Sequence, residues 1–174
     1  MEVALKNVQY AAFASNETHC FTAKVYVDGK LLCVASNEGH GGCTDFYPAP
    51  GRKRDDVKRV DTYLQEHATA PAAGDEMSHK LWATGWRPGL ESKVDDLLVR
   101  WMLAKELRRH LKKSTLTAGP SGAVWCHKVV FTDAAKDRIK ASILTKYPDR
   151  QVLNEMPFER ALDVYVAHVA TLRP

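Results

Sequence analysis

The sequence predicts an α+β fold in which an N-terminal antiparallel β-hairpin or sheet is covered by amphipathic helices. Residues 20–27 alternate apolar and polar, an Asp28-Gly29 pair follows, and a second apolar run, Leu31 to Ala35, begins at once. Apolar residues then recur at helical spacing over Leu90 to Lys113 and again after Pro157. The resulting order of strands, helices, one strand and helices suits a sheet with helices laid on it better than a doubly wound parallel sheet.

Taken in chain order, Val3, Leu5 and Val8 mark a first strand. Phe21, Ala23, Val25 and Val27 interleave with Cys20, Thr22, Lys24 and Tyr26, the period of a half-buried strand. Asp-Gly between two such runs favours a two-residue turn whose twist matches that of paired strands. Residues 37–51 hold four glycines and two prolines with no sustained period, which predicts a long irregular loop. A helix starts near Asp55, with Val57, Val60, Tyr63 and Leu64 on one face, and small residues with Pro71 introduce a flexible segment over 68–89. From Leu90 to Lys113, Val94, Leu97, Leu98, Trp101, Met102, Leu107 and Leu111 recur helically, with acids early and bases late, as the helix dipole favours. Residues 117–122 read as a break, 124–131 as a strand, and Thr132 or Asp133 as the cap of a helix carrying Ile139, Ile143 and Leu144. Pro157 opens the last helix.

With 174 residues, 45% of them hydrophobic and 26% charged, the chain reads as one globular domain, 1–174, and neither disorder nor a fibrous architecture is indicated. No stretch approaches the roughly 18 apolar residues of a membrane span. The start, Met1 to Lys6, lacks the pattern of a signal peptide, so a cytoplasmic protein that does not act on membranes is expected. Cys20, Cys33, Cys43 and Cys126 read as reduced thiols. A formal charge of +4 falls short of what a protein coating nucleic acid carries, but the bases are clustered. Arg52-Lys53-Arg54 forms a small group, and Lys105, Arg108, Arg109, Lys112 and Lys113 a larger one.

His19-Cys20, His40-Gly41-Gly42-Cys43 and Cys126-His127 bring histidine next to cysteine. A tetrahedral zinc prefers these ligands, but two of the pairs lie on expected strands, where neighbours point to opposite faces, and the spacing is not repeated. No metal and no cofactor are expected. Cys43 with His40 as base and Asp45 as orienter forms a possible nucleophile set, although sequence neighbours rarely assemble one, so no catalytic residue is assigned. Gly39, His40, Gly41, Gly42 and Cys43 remain a candidate binding loop, even though no helix follows as it would in a phosphate loop. Trp82, Trp86 and Arg87, with Arg108, Arg109, Lys112 and Lys113, are candidates for partner binding, since aromatics beside bases anchor interfaces or stack on nucleic acid.

The stretch Phe13-Ala14-Ser15-Asn16-Glu17-Thr18-His19-Cys20-Phe21, the strand Ala23 to Asp28 and the loop Ser36 to Gly42 resemble short proteins of unassigned role encoded by phages and prophages, some of which disable bacterial defences. The resemblance covers about the first fifty residues and carries no catalytic motif. It implies a non-enzymatic interaction protein, an anti-CRISPR-like inhibitor acting in the bacterial cytoplasm on a host protein or nucleoprotein complex, with direct nucleic-acid binding the less favoured mode. The alternative is a small enzyme or metal-binding domain built on the His40/Cys43 loop.

Overall fold

Residues 1–71 and 75–172 are described by a computed structural model. The fold is α+β, as the sequence predicts. Strands β1 (Val3–Tyr10), β2 (Phe21–Val27), β3 (Lys30–Asn37) and β4 (Asp45–Pro48) form one antiparallel sheet in the order β1-β2-β3-β4. The sequence reads as a single domain, and its contacts cluster in two compact units, Met1–Leu98 and Val99–Pro174.

In the first unit the predicted hairpin pairs Val27 with Lys30, and Asp28 and Gly29 take φ of 46° and 75°. Positive φ at both turn residues is what a tight hairpin needs, which explains the Asp-Gly pair. A bulge follows in β3: Val25 faces Cys33 and Tyr26 faces Leu31, leaving Leu32 as the extra residue. Leu32 and Cys33 are both buried, although neighbours on a regular strand face opposite ways. A second bulge lies in β1 between Lys6 and Gln9, with Asn7 at φ 53°.

Phe21, Ala23, Val25, Cys33 and Ala35 are buried on this sheet, and α1 (Arg54–Glu66) contributes the buried Val60. Helix α3 (Leu90–Lys113) begins in this unit with Leu90, Val94 and Leu98 buried at four-residue spacing. Each fully buried leucine contributes about 1.5–3 kcal/mol. The start of α3 is tied to its surroundings by two carboxylates. Asp61 accepts the Leu90 N–H at 2.7 Å, and Glu91 accepts the Thr44 N–H at 2.6 Å.

Two expectations are corrected here. The supposed loop 37–51 contains β4, which pairs Asp45, Phe46, Tyr47 and Pro48 with Ser36, Ala35, Val34 and Cys33. Pro48 has no ladder N–H to donate and is tolerated because β4 is an edge strand. The segment 68–89 contains α2 (Glu76–Ala83), started by Asp75, whose carboxylate accepts the Ser78 N–H at 3.0 Å. Residues 72–74 of that segment lie outside the described residues.

In the second unit β5 (Thr115–Ala118) lies between β6 (Val124–His127) and β7 (Gln151–Val152), all antiparallel. The sequence reads a break from Thr117, but all four residues of β5 are buried. Their polarity is absorbed locally: the Thr115 hydroxyl donates to the Val129 carbonyl at 2.8 Å, and Thr117 Oγ1 pairs with His127 Nε2 at 3.0 Å. The strand expected over 124–131 ends at His127, because the Val129 N–H turns back to the His127 carbonyl. Neither Thr132 nor Asp133 caps α4 (Lys136–Lys146); its N-cap is Ala135, which makes no side-chain bond. The Ala135 N–H bonds the Thr132 carbonyl in a turn that places both candidates before the helix.

Leu103, Ala104 and Leu107 of α3, Leu116 and Ala118 of β5, Leu153, and Ala161, Leu162 and Tyr165 of α5 (Phe158–Leu172) form the core of this unit. Asn154 joins helix to strand. Its amide donates to the carbonyls of Leu111 and Ser114 at the end of α3, and its oxygen accepts the Leu116 N–H at 2.8 Å. Among the described residues no helix is long and apolar enough to cross a membrane.

Candidate functional site

Asn37 organises the glycine loop. Buried at the end of β3, it accepts the Thr18 hydroxyl and the Gly39 N–H at 2.8 Å each and donates to the Gly42 carbonyl at 2.9 Å. The Gly39 carbonyl in turn accepts the N–H groups of Asn16, Glu17 and Thr18. Gly39 has φ 86°, and a Cβ there would collide with the Ala14 carbonyl oxygen, so only glycine fits. An open cleft of about 470 Å³ beside the loop is lined by Tyr10, Cys20, Asn37, Glu38 and His40, among others.

The loop does not assemble the nucleophile set. His40 Nδ1 pairs with Asn16 at 3.3 Å, and Asp45 accepts the Tyr47 hydroxyl at 3.4 Å. Cys43 is exposed, with no hydrogen bond to His40 or Asp45 among the described residues. Cys33 is the buried thiol, and burial pushes its pKa up to about 11, which keeps it protonated and unreactive. Among the described residues no three His, Cys, Asp or Glu side chains gather to hold a metal ion.

Trp82, Trp86 and Arg87 lie together at the end of α2. The Arg87 guanidinium sits 3.7 Å from the Trp82 ring centre and donates to the carbonyls of Trp82 and Trp86. Arg87 is thereby engaged as a helix-end clamp, and Trp86, 45% exposed, is the free aromatic of the group.

Arg108, Arg109, Lys112 and Lys113 are exposed on the last turns of α3. Arg108 stacks on Phe158 of α5 at 4.1 Å. None of the four forms an ion pair with a described residue, whereas Arg100 on the same helix is held by Glu159 and Asp163. The division of the chain shows how the charge is distributed. Val99–Pro174 contains 14 Lys and Arg against 7 Asp and Glu, a formal +7, and Met1–Leu98 contains 11 against 14, a formal −3. The overall +4 conceals this split.

Two groupings in the second unit escape a sequence reading. Near the end of α3, Glu106 lies 3.5 Å from His110, and burial together with Glu106 pushes the Tyr165 phenol up to about 12. Tyr165 is therefore a neutral hydroxyl at physiological pH. In the other grouping Arg150 lies between the rings of Trp125 and Tyr147, with His127 nearby. Tyr147 and Arg150 are three residues apart, but the contact of Arg150 with Trp125 crosses from β6 to the loop before β7 and leaves no local signal.

No protein-family model, curated protein or solved structure matches the chain.

Proposed function

We propose that the chain is a non-enzymatic interaction protein that docks an anionic partner, a host protein or nucleoprotein complex, through its basic second unit. The supporting observation is the charge split together with four exposed cations on the last turns of α3 that no described carboxylate neutralises. The helix dipole favours cations at a helix end by about 0.3–1 kcal/mol each. It gives no reason for a seven-charge excess over the rest of the unit. Such a field draws an oppositely charged surface into encounter. The resemblance of the first fifty residues to phage-encoded proteins adds inhibition of a bacterial defence complex as the context of the proposal.

The test is capture from bacterial lysate, with and without nuclease, by the full chain and by a variant with Arg108, Arg109, Lys112 and Lys113 changed to Glu. Capture should weaken in the variant, more so at low salt, while stability stays within about a kcal/mol, because exposed charges contribute little to folding. Unchanged capture would refute the reading.

A further inference from the structure

Arg150 is held as a ligand-binding guanidinium would be. Its Cζ lies 3.7 Å from the centre of the Trp125 ring and 3.8 Å from that of Tyr147, so two rings confine the plane. Gly119 makes room for the stack: a Cβ there would come within 2.8 Å of Trp125 Cζ3 and 2.9 Å of Cη2. The rings satisfy none of the guanidinium N–H donors. No hydrogen bond or ion pair joins the Arg150 side chain to a described residue, and Asp149, its chain neighbour, is not its partner. Arg87 and Arg100, by contrast, spend their donors on carbonyls or carboxylates.

The surroundings are cationic and aromatic. Lys146 Nζ lies 5.3 Å from the centre of the same Tyr147 ring, and Trp125 is 38% exposed. His127, whose Nε2 pairs with Thr117, is kept from protonating first by burial and then by the field of Arg150.

We infer that Arg150, fixed between Trp125 and Tyr147, grips a phosphate of a nucleic-acid strand, with Lys146 beside it for the next. The planar fork matches a phosphate in two parallel hydrogen bonds, and confinement by the rings removes rotamer freedom before the ligand arrives. A nucleic-acid strand carries one charge on every nucleotide, so successive phosphates can meet the cations gathered on one ring. Its sugars and bases also give the exposed part of Trp125 an apolar contact that a polyanionic peptide lacks. The inference rests on the reading of the second unit as the docking unit and deepens it by naming the partner's chemistry.

The experiment measures binding of the full chain to a labelled single-stranded oligothymidylate, and to poly-aspartate of equal charge, at about 50 and about 200 mM salt. Arg150→Gln should weaken oligonucleotide binding about tenfold and lower the salt slope by about one. Arg150→Lys should retain the slope but not the affinity, because a point charge lacks the fork. The Trp125 indole resonance should shift on adding oligonucleotide to the native chain and not to Arg150→Gln, and native circular dichroism in both variants shows that the fold is kept. Equal affinity and slope in Arg150→Gln would overturn the inference. So would poly-aspartate binding as tightly as the oligonucleotide with the same loss in that variant, which would point to an acidic protein. Oligonucleotide binding lost on reversing the four α3 cations but intact in Arg150→Gln removes the Arg150 site alone. The converse result removes the α3 docking surface and supports the Arg150 site.

Discussion

Changing Asn37 to Ala removes three hydrogen bonds at once, and they do not count equally. The Gly39 N–H is buried and has no other acceptor in place, so leaving it unpaired costs about 1–3 kcal/mol. The Thr18 hydroxyl and the Gly42 carbonyl lie nearer the surface and can turn to water, at a net cost of about 0.5–1 kcal/mol each. Asn37→Ala should therefore destabilise the chain by about 2–5 kcal/mol, read by urea unfolding followed by circular dichroism, with the Gly39 amide exchanging much faster. Asn37→Asp sharpens the test. It keeps the acceptor for Thr18 and Gly39 but sets an oxygen against the Gly42 carbonyl, so its loss should shrink as pH falls toward about 4 and the carboxyl gains a proton to donate. A loss under about 1 kcal/mol for Asn37→Ala, or no pH dependence for Asn37→Asp, would refute the view that this one side chain holds the loop.

Two further outcomes concern single residues. His127 binds its proton less readily in the folded chain, mainly through burial and secondarily through Arg150, so its contribution to stability is complete above the ordinary histidine value of about 6.5 and is lost as pH falls below it. An NMR titration should place its midpoint below that value and move it only part of the way back in Arg150→Gln; full restoration would mean that the charge, and not burial, is the main cause. Asp61→Ala removes the acceptor for the first N–H of α3 and should cost about 1 kcal/mol in urea unfolding, with Asp61→Asn recovering most of it.

What was legible in the sequence is what neighbours in the chain decide. The Asp28-Gly29 hairpin declared itself because turn chemistry and alternation lie within sixteen residues, and the basic end of α3 because its period runs unbroken. Strand β4 stayed hidden because Pro48 at its end, Pro50 after it and the glycines before it look like loop, while its pairing to β3 is what makes it a strand. β5 stayed hidden because its two threonines look polar, and only the partners Val129 and His127 let them be buried. The Arg150 stack depends on a residue 25 positions away and on a glycine whose purpose is to be absent from the space Trp125 fills. The glycine loop was visible as a loop, but Asn37 read as its first residue, and nothing near it in the chain shows that it ends β3 and holds the loop from there.

The outer strands have a further consequence. β1 is interrupted by its bulge at Asn7, β4 is four residues long and closes on Pro48, and in the second sheet the flanking strands have four residues and two. A guest peptide that lies alongside a sheet and borrows its backbone ladder needs a straight, uninterrupted rail, and neither sheet offers one. Docking of the kind proposed for this molecule would therefore fall to side-chain tips, where one substitution can remove a contact without unzipping a strand.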